Sequence, residues 1–455
     1  MNITSQASTD LSLTATDYSL LTDLYQLTMA ACYVGENRHQ RQASFELFTR
    51  QLPEGYGYLI AMGLAQALDY LETLQFTPTQ IEALKACEIF THAPAQFWQV
   101  LAEGQFTGDV WAVPEGTAIF AGEPLLRVEA PLWQAQIVET FLLNTLNYQT
   151  LIATRAARMR DIAGQDAKLL EFGTRRAFSP QASVWAARAA IAAGLDSTSN
   201  VLAALKLGRQ PTGTMAHALV MAFATLEGEE MDAFRAFHRY FPGAPLLIDT
   251  YDTVAAAQQL AEKVKSGEMD CQGVRLDSGD LVALSQQVHS LLPDVKIFAS
   301  GDIDEWEIAR LKAAGAKIDG YGIGTKLVSG APVNGVYKLV EIDSHPVMKE
   351  SSGKVTYPGR KQIYRQFQQG KMQSDYLALA DEDHNDKLDN LTALMKPVMQ
   401  QGKRIQPIET LEAIAQRTTV SVASLPEATR CLNQPISPSI QLSEALQQLI
   451  KVIRH

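Results

Sequence analysis

Between residues 168 and 324 the chain alternates short apolar runs with stretches of helical spacing. The apolar runs cover 168–172, 210–214, 246–249, 273–277, 295–300 and 318–324, and helical patterns lie between them at 183–193, 254–265 and 304–315. Strands that alternate with helices predict βαβ units and a parallel sheet. The last three predicted strand ends, Asp277, Ser300 and Gly324, are 23 and 24 residues apart, a repeat that fits an irregular TIM-like α/β barrel. In such barrels the chemistry sits on loops at the C-terminal strand ends. Polar residues there are the first candidates for function.

The flanks read differently. Residues 24–34 have helical spacing, 43–52 alternate like a strand, and 54–64 form a Gly/Tyr-rich turn that enters a helix. Residues 104–132 carry short β-rich runs broken by Gly and Pro, which predict a small antiparallel unit, and a long helix follows over 133–162. Beyond about residue 333 the pattern predicts a strand meander, and 405–455 read as mainly helical. The expected organisation is a flexible tail over 1–17, an α/β sandwich-like domain over 18–132 and the barrel with its active site over 133–335. A C-terminal part over 336–455 adds helices, and its strands complete the N-terminal domain, which is then discontinuous.

Charge narrows the function classes. The 455 residues hold 39 Lys plus Arg against 50 Asp plus Glu, a formal net charge of -11. That argues against nucleic acid or an anionic membrane as a partner, but leaves a small anionic substrate open. Cys32, Cys87, Cys271 and Cys431 are far apart and form no CxxC pair, so neither a zinc cluster nor a disulfide framework is expected. The N-terminus shows no secretory pattern. The apolar stretch 137–157 is broken by Glu139, Asn144, Asn147 and Arg155, too polar to span a bilayer. The expectation is a cytoplasmic protein with no membrane partner.

The predicted strand ends carry the candidate chemistry. Arg175 and Arg176 follow Glu171–Phe172–Gly173, and adjacent guanidinium groups suit phosphate; a solvated surface pair is the alternative. His217 follows Gly213–Thr214 and is placed for nucleophilic or acid–base work, although a lone histidine is more often structural. Asp249, Asp252, Asp277 and Asp280 can hold ribose hydroxyls or a hydrated Mg²⁺, or cap helices. The capping reading is strongest for Asp252 and Asp280, and Asp304 is expected to cap the helix after Gly301 and Asp302. Gly320, Gly322, Gly324 and Thr325 suit backbone approach to a phosphate. These residues alone reach an enzyme acting on a phosphorylated sugar with Mg²⁺, and do not name its reaction.

Eleven motifs then occur in one order: LLTDLYQLTMA, FELFTRQLP, LLEFGTRRA, STSNVLAA, GTMAH, LIDTYDT, GVRLDSGDL, SGDID, GYGIGTKL, GVYKL and YPGRKQIYR. With them the chain resembles the nicotinate phosphoribosyltransferase family, type II phosphoribosyltransferases, over about residues 20–366. The resemblance implies transfer of phosphoribose from 5-phosphoribosyl 1-diphosphate (PRPP) to nicotinate, the first step of NAD salvage from nicotinic acid. It implies ATP as co-substrate, Mg²⁺, a ligase-type coupling through phosphorylated His217, and a homodimer with active sites at the subunit interface. It also implies site roles. The nicotinate ring would stack between Phe172 and Tyr25 of the other subunit, and its carboxylate would meet Arg275, Thr214 and Ser199. Arg175, Gly301, Asp302, Gly324 and Thr325 would bind PRPP, and Asp249 and Asp277 would serve the chemistry with His217. Ser199 stands where amide-specific relatives carry Asp, which favours the acid. A nicotinamide or quinolinate-type phosphoribosyltransferase, or a non-catalytic PRPP-binding barrel, are the competing readings.

Overall fold

Residues 11–226, 228–351, 354–382 and 391–454 are described by a computed structural model. Its contacts divide the chain into two units. One comprises Met1–Leu151, Pro332–Ala413 and Ala423–His455; the other comprises Ile152–Ala331 and Ile414–Val422. Of the tail expected at 1–17, residues 1–10 lie outside the described residues. Thr14 and Asp17 form a capping box that opens a 3₁₀ turn over Ala15–Ser19.

The second unit is built on six parallel strands: β1 (Lys168–Glu171), β2 (Ser197–Thr198), β3 (Leu246–Leu247), β4 (Gly273–Leu276), β5 (Lys296–Ala299) and β6 (Gly320–Ile323). They pair in the order β2–β1–β6–β5–β4–β3. Parallel strands need covered faces, and the helices between them supply the cover. These are α1 (Pro180–Ala192), α2 (Val201–Lys206), α3 (His217–Leu226), α4 (Glu230–Tyr240), α5 (Thr253–Lys265), α6 (Leu281–Leu291), α7 (Glu305–Ala313) and α8 (Thr325–Val328). Pro180 sits in the first turn of α1 and the Ser179 hydroxyl accepts from Ala182 N at 3.0 Å, a strong start signal. Its alanines 186, 187, 189 and 190 are fully buried. Asp252, Asp280 and Asp304 cap α5, α6 and α7 through their side chains, so the capping reading holds for all three.

One expected strand is absent. Residues 210–214 form no regular structure. Pro211 has no N–H to give a ladder and Gly213 has no side chain to pack. The segment is held by side and backbone instead: Thr212 N donates to Thr198 O at 2.9 Å, and the Thr214 hydroxyl donates to Pro245 O. A strand-by-strand closed barrel is therefore not formed among the described residues. The mixed α/β fold with a parallel sheet is.

In the first unit, strands from both chain ends share one antiparallel sheet: Gln42–Thr49, Asp109–Ala112 and Pro124–Pro131 pair with Gly335–Ile342 and Lys396–Gln400. A second sheet holds Lys361–Gln368 and Lys371–Leu379 between Leu391–Ala393 and Ile440–Leu442. Arg365 is 1% exposed and bonds both oxygens of buried Asp375, at 2.8 and 2.6 Å. Glu123 lies 4.0 Å away, its carboxyl pushed well above the usual range by burial and then by Asp375. Breaking such a pair leaves an uncompensated charge. Asp375→Ala is expected to cost about 3 kcal/mol, the low end for a broken buried pair, because the Glu123 carboxyl 4.0 Å away is left to face Arg365. Chemical denaturation checks this, and Glu123→Gln/Asp375→Ala should cost more than Asp375→Ala alone.

Candidate functional site

Because all six strands run the same way, their C-terminal ends share one edge. Along it stand Ser199 after β2, Phe172 after β1, Gly324 and Thr325 after β6, Gly301 and Asp302 after β5, Asp277 after β4 and Asp249 after β3. The sheet thus gathers motifs as far apart in the chain as Phe172 and Gly324 by topology alone, with no help from sequence proximity.

Asp249 is the fixed point. Its side chain is 2% exposed, and its Oδ2 accepts from Asp277 N at 2.7 Å and Ser278 Oγ at 2.8 Å. Those bonds tie the end of β3 to the turn after β4. Oδ1 is buried and accepts no hydrogen bond. The Ser300 hydroxyl donates to Asp277 Oδ1, which adds the end of β5. Gly301 has φ +111°, and a Cβ there would lie 2.9 Å from the Asp277 carbonyl oxygen, so only glycine permits this turn.

His217 opens α3 with its ring 38% exposed. Nδ1 lies 3.1 Å from Thr250 Oγ1. Nε2 lies 3.8 Å from Asp249 Oδ1 and 3.9 Å from Asp277 Oδ2. One ring nitrogen is thus held by a hydroxyl while the other faces two carboxylates.

Beside this cluster is a cavity of about 300 Å³ lined by residues that include Phe172, Thr212, Gly213, Thr214, Arg275 and Gly322. Arg275 projects from β4, and its buried Nε has no hydrogen-bond partner. Burial pulls the guanidinium below its usual range, while Asp277 and Asp249 oppose the shift. Gly322 was expected to bring backbone to a phosphate. It lies inside β6, where a Cβ would strike the Phe172 ring, so its role is to seat that ring. The Thr214 hydroxyl donates to Pro245 O, which fixes it in the cavity wall.

Arg175 and Arg176 are exposed; Arg176 N donates to Gly173 O at 2.8 Å, and both guanidinium groups face solvent, placed to meet an anion. Asp302 is exposed, and Lys326 lies 3.8 Å from Asp304. Tyr25 belongs to the first unit, in helix Leu24–Gly35, and is 46% exposed.

Three comparisons bear on this arrangement. Models of the nicotinate phosphoribosyltransferase N-terminal domain, family and C-terminal domain match residues 20–147, 167–374 and 387–450. A nicotinate phosphoribosyltransferase of Mycobacterium tuberculosis is 40% identical over 96% of this chain and 94% of its own. That of Bacillus subtilis is 43% identical over 81% of this chain and 78% of its own. The chain belongs to the nicotinate phosphoribosyltransferase family. The crystal structure of human nicotinic acid phosphoribosyltransferase overlays with a TM-score of 0.83 at 30% identity, covering 96% of this chain and all of that one. The family assignment read from the eleven motifs is borne out, and the C-terminal match extends it beyond residue 366.

Within the family frame, some site residues escaped the sequence reading. Thr250 sits inside LIDTYDT but carries no signal that it meets His217. Glu230 opens α4, and burial, then Asp249 and Asp252, push its carboxyl up to about 7. Glu171 is fully buried beneath the Phe172 turn. Each is a polar residue that meets residues distant in the chain, Thr250 with His217, Glu230 with Asp249, and Glu171 with Thr198, which periodicity does not reveal. No helix among the described residues is long and apolar enough to cross a membrane.

Proposed function

We propose that this chain joins nicotinate to ribose C1 of PRPP, giving nicotinate mononucleotide and diphosphate, with ATP hydrolysis coupled through His217. The observation that carries the reading is Arg275: a half-buried guanidinium whose buried Nε has no partner, in a cavity walled by the Phe172 ring. A planar aromatic acid answers both features. Its ring meets Phe172, with Tyr25 of a second copy of the chain on the other face, and its carboxylate meets Arg275. Ser199, at the end of β2, adds a hydroxyl donor where an acidic residue would repel the carboxylate.

The nicotinate ring nitrogen attacks C1 as the C1–O bond to diphosphate breaks. Positive charge builds on the sugar and negative charge on the leaving group. Asp249 and Asp277 stabilise the first; Arg175, with the backbone at Gly324 and Thr325, holds the 5-phosphate, and Asp302 binds the ribose hydroxyls. Buried, unbonded Asp249 Oδ1 and the neighbouring Asp277 carboxylate are hard oxygen donors. They fit Mg²⁺, which binds through one or two carboxylates plus substrate phosphates. When bound, the ion supplies charge neutralisation to the diphosphate.

His217 acts separately. With Nδ1 held by Thr250, the Nε2 lone pair attacks the γ-phosphorus of ATP and the bond to ADP breaks. The phosphohistidine is later hydrolysed to phosphate. Purified protein with nicotinate, PRPP, ATP and Mg²⁺ should form nicotinate mononucleotide, read by chromatography. Absence of that product contradicts the proposal.

A further inference from the structure

Glu171 takes no part in the reaction just described, yet it sits where two walls of the cavity join. It ends β1 and is fully buried. One carboxylate oxygen accepts from Gly173 N, in the turn that carries Phe172 and Arg175. The other accepts from the Thr198 hydroxyl, at the end of β2. Thr198 Oγ1 in turn accepts from Asn200 N at 2.9 Å, so its proton is free to point at Glu171. Ser199 N donates to Glu171 O at 2.9 Å, and Thr212 N donates to Thr198 O at 2.9 Å. Asn200 extends the network, accepting from Ala203 N at the start of α2 and donating to Ser183 Oγ in α1.

No cation pairs with Glu171 among the described residues. A buried carboxylate without one is costly unless hydrogen bonds satisfy it. Here they do, and the two donors come from the two segments that must keep a fixed spacing. Burial pushes the carboxyl up, with Thr198 and Gly173 opposing. An isosteric amide cannot replace it. Gly173 N–H can only donate, so the amide oxygen must face Gly173. Its NH₂ then meets the Thr198 hydroxyl, already an acceptor toward Asn200, and the hydroxyl proton loses its partner.

We propose that Glu171 is a positioning residue for the aromatic acid: by accepting from Gly173 and Thr198 at once, it clamps the Phe172 turn to Ser199 and the Thr212–Gly213–Thr214 wall, and so sets the width of the nicotinate cleft. The inference rests on the nicotinate reading above. Nothing in it requires Glu171 to touch substrate.

The test uses the full-length protein and two variants, Glu171→Gln and Thr198→Val, and reads nicotinate binding by calorimetry alongside steady-state kinetics. Each variant is expected to weaken nicotinate binding and raise its KM about tenfold, the effect of leaving one buried donor unsatisfied. Meanwhile kcat should change less than about threefold, since no group at the reacting atoms moves. The double variant should resemble the worse single variant, because both break one clamp. A fall in kcat at unchanged nicotinate KM, or effects that multiply in the double variant, overturns the proposal. Thr198→Val keeps the question open to measurement if Glu171→Gln fails to fold. The two readings fail separately. Wild-type protein that binds nicotinate without turning it over contradicts the proposed reaction, while the calorimetric comparison still decides the clamp.

Discussion

Arg275→Leu is expected to lower kcat/KM for nicotinate by about 100-fold to 1,000-fold. The reason lies in what the guanidinium lacks. It is largely withdrawn from water, its Nε has no hydrogen-bond partner, and the carboxylates that act on it, Asp277 and Asp249, are engaged with Ser300, Ser278 and the Asp277 amide. Removing one member of a desolvated charge pair costs about 2–5 kcal/mol, and each 1.4 kcal/mol is about tenfold. Because Arg275 is under-satisfied without ligand, the substitution should leave the melting temperature of the free protein unchanged or raised. Steady-state kinetics and a thermal melt separate the two effects. Equal losses for nicotinate and nicotinamide would show that Arg275 does not read the carboxylate.

The second large effect concerns energy coupling. His217→Ala should abolish the stimulation by ATP, so that rates with and without ATP differ by a factor of about one, while ATP-independent nucleotide formation survives. The geometry separates the two activities. His217 meets Thr250 on one side and the Asp249–Asp277 pair on the other, and Arg275 and Phe172 line the neighbouring cavity. Radiolabelled ATP should mark wild-type protein and not the variant. Persisting ATP stimulation in His217→Ala would remove the histidine from the coupling.

Much of this was readable before any coordinates. Apolar runs separated by helical patterns identify parallel strands, and parallel strands put their C-terminal ends on one edge. Asp249, Asp277, Asp302 and Gly324 were therefore legible as neighbours although they are far apart in the chain. The 210–214 segment was not legible as irregular. Its alternating threonines, Thr212 and Thr214, resemble a strand and mask the breakers Pro211 and Gly213. Gly322 looked like a phosphate glycine because composition does not say whether a missing side chain makes room for a ligand or for the Phe172 ring. Glu171 stood in view in EFGTRRA, but its partner Thr198 belongs to a strand of two residues, too short to show any period. What sequence hides here is pairing between elements, which hydrogen-bond geometry then supplies.

The most direct test of the central claim is one assay of the purified protein with PRPP and Mg²⁺, offering nicotinate, nicotinamide or quinolinate, each with and without ATP. The account predicts nucleotide from nicotinate, strong preference over the other two, and stimulation by ATP. Preference for nicotinamide or quinolinate, or PRPP binding without release of diphosphate, would contradict it.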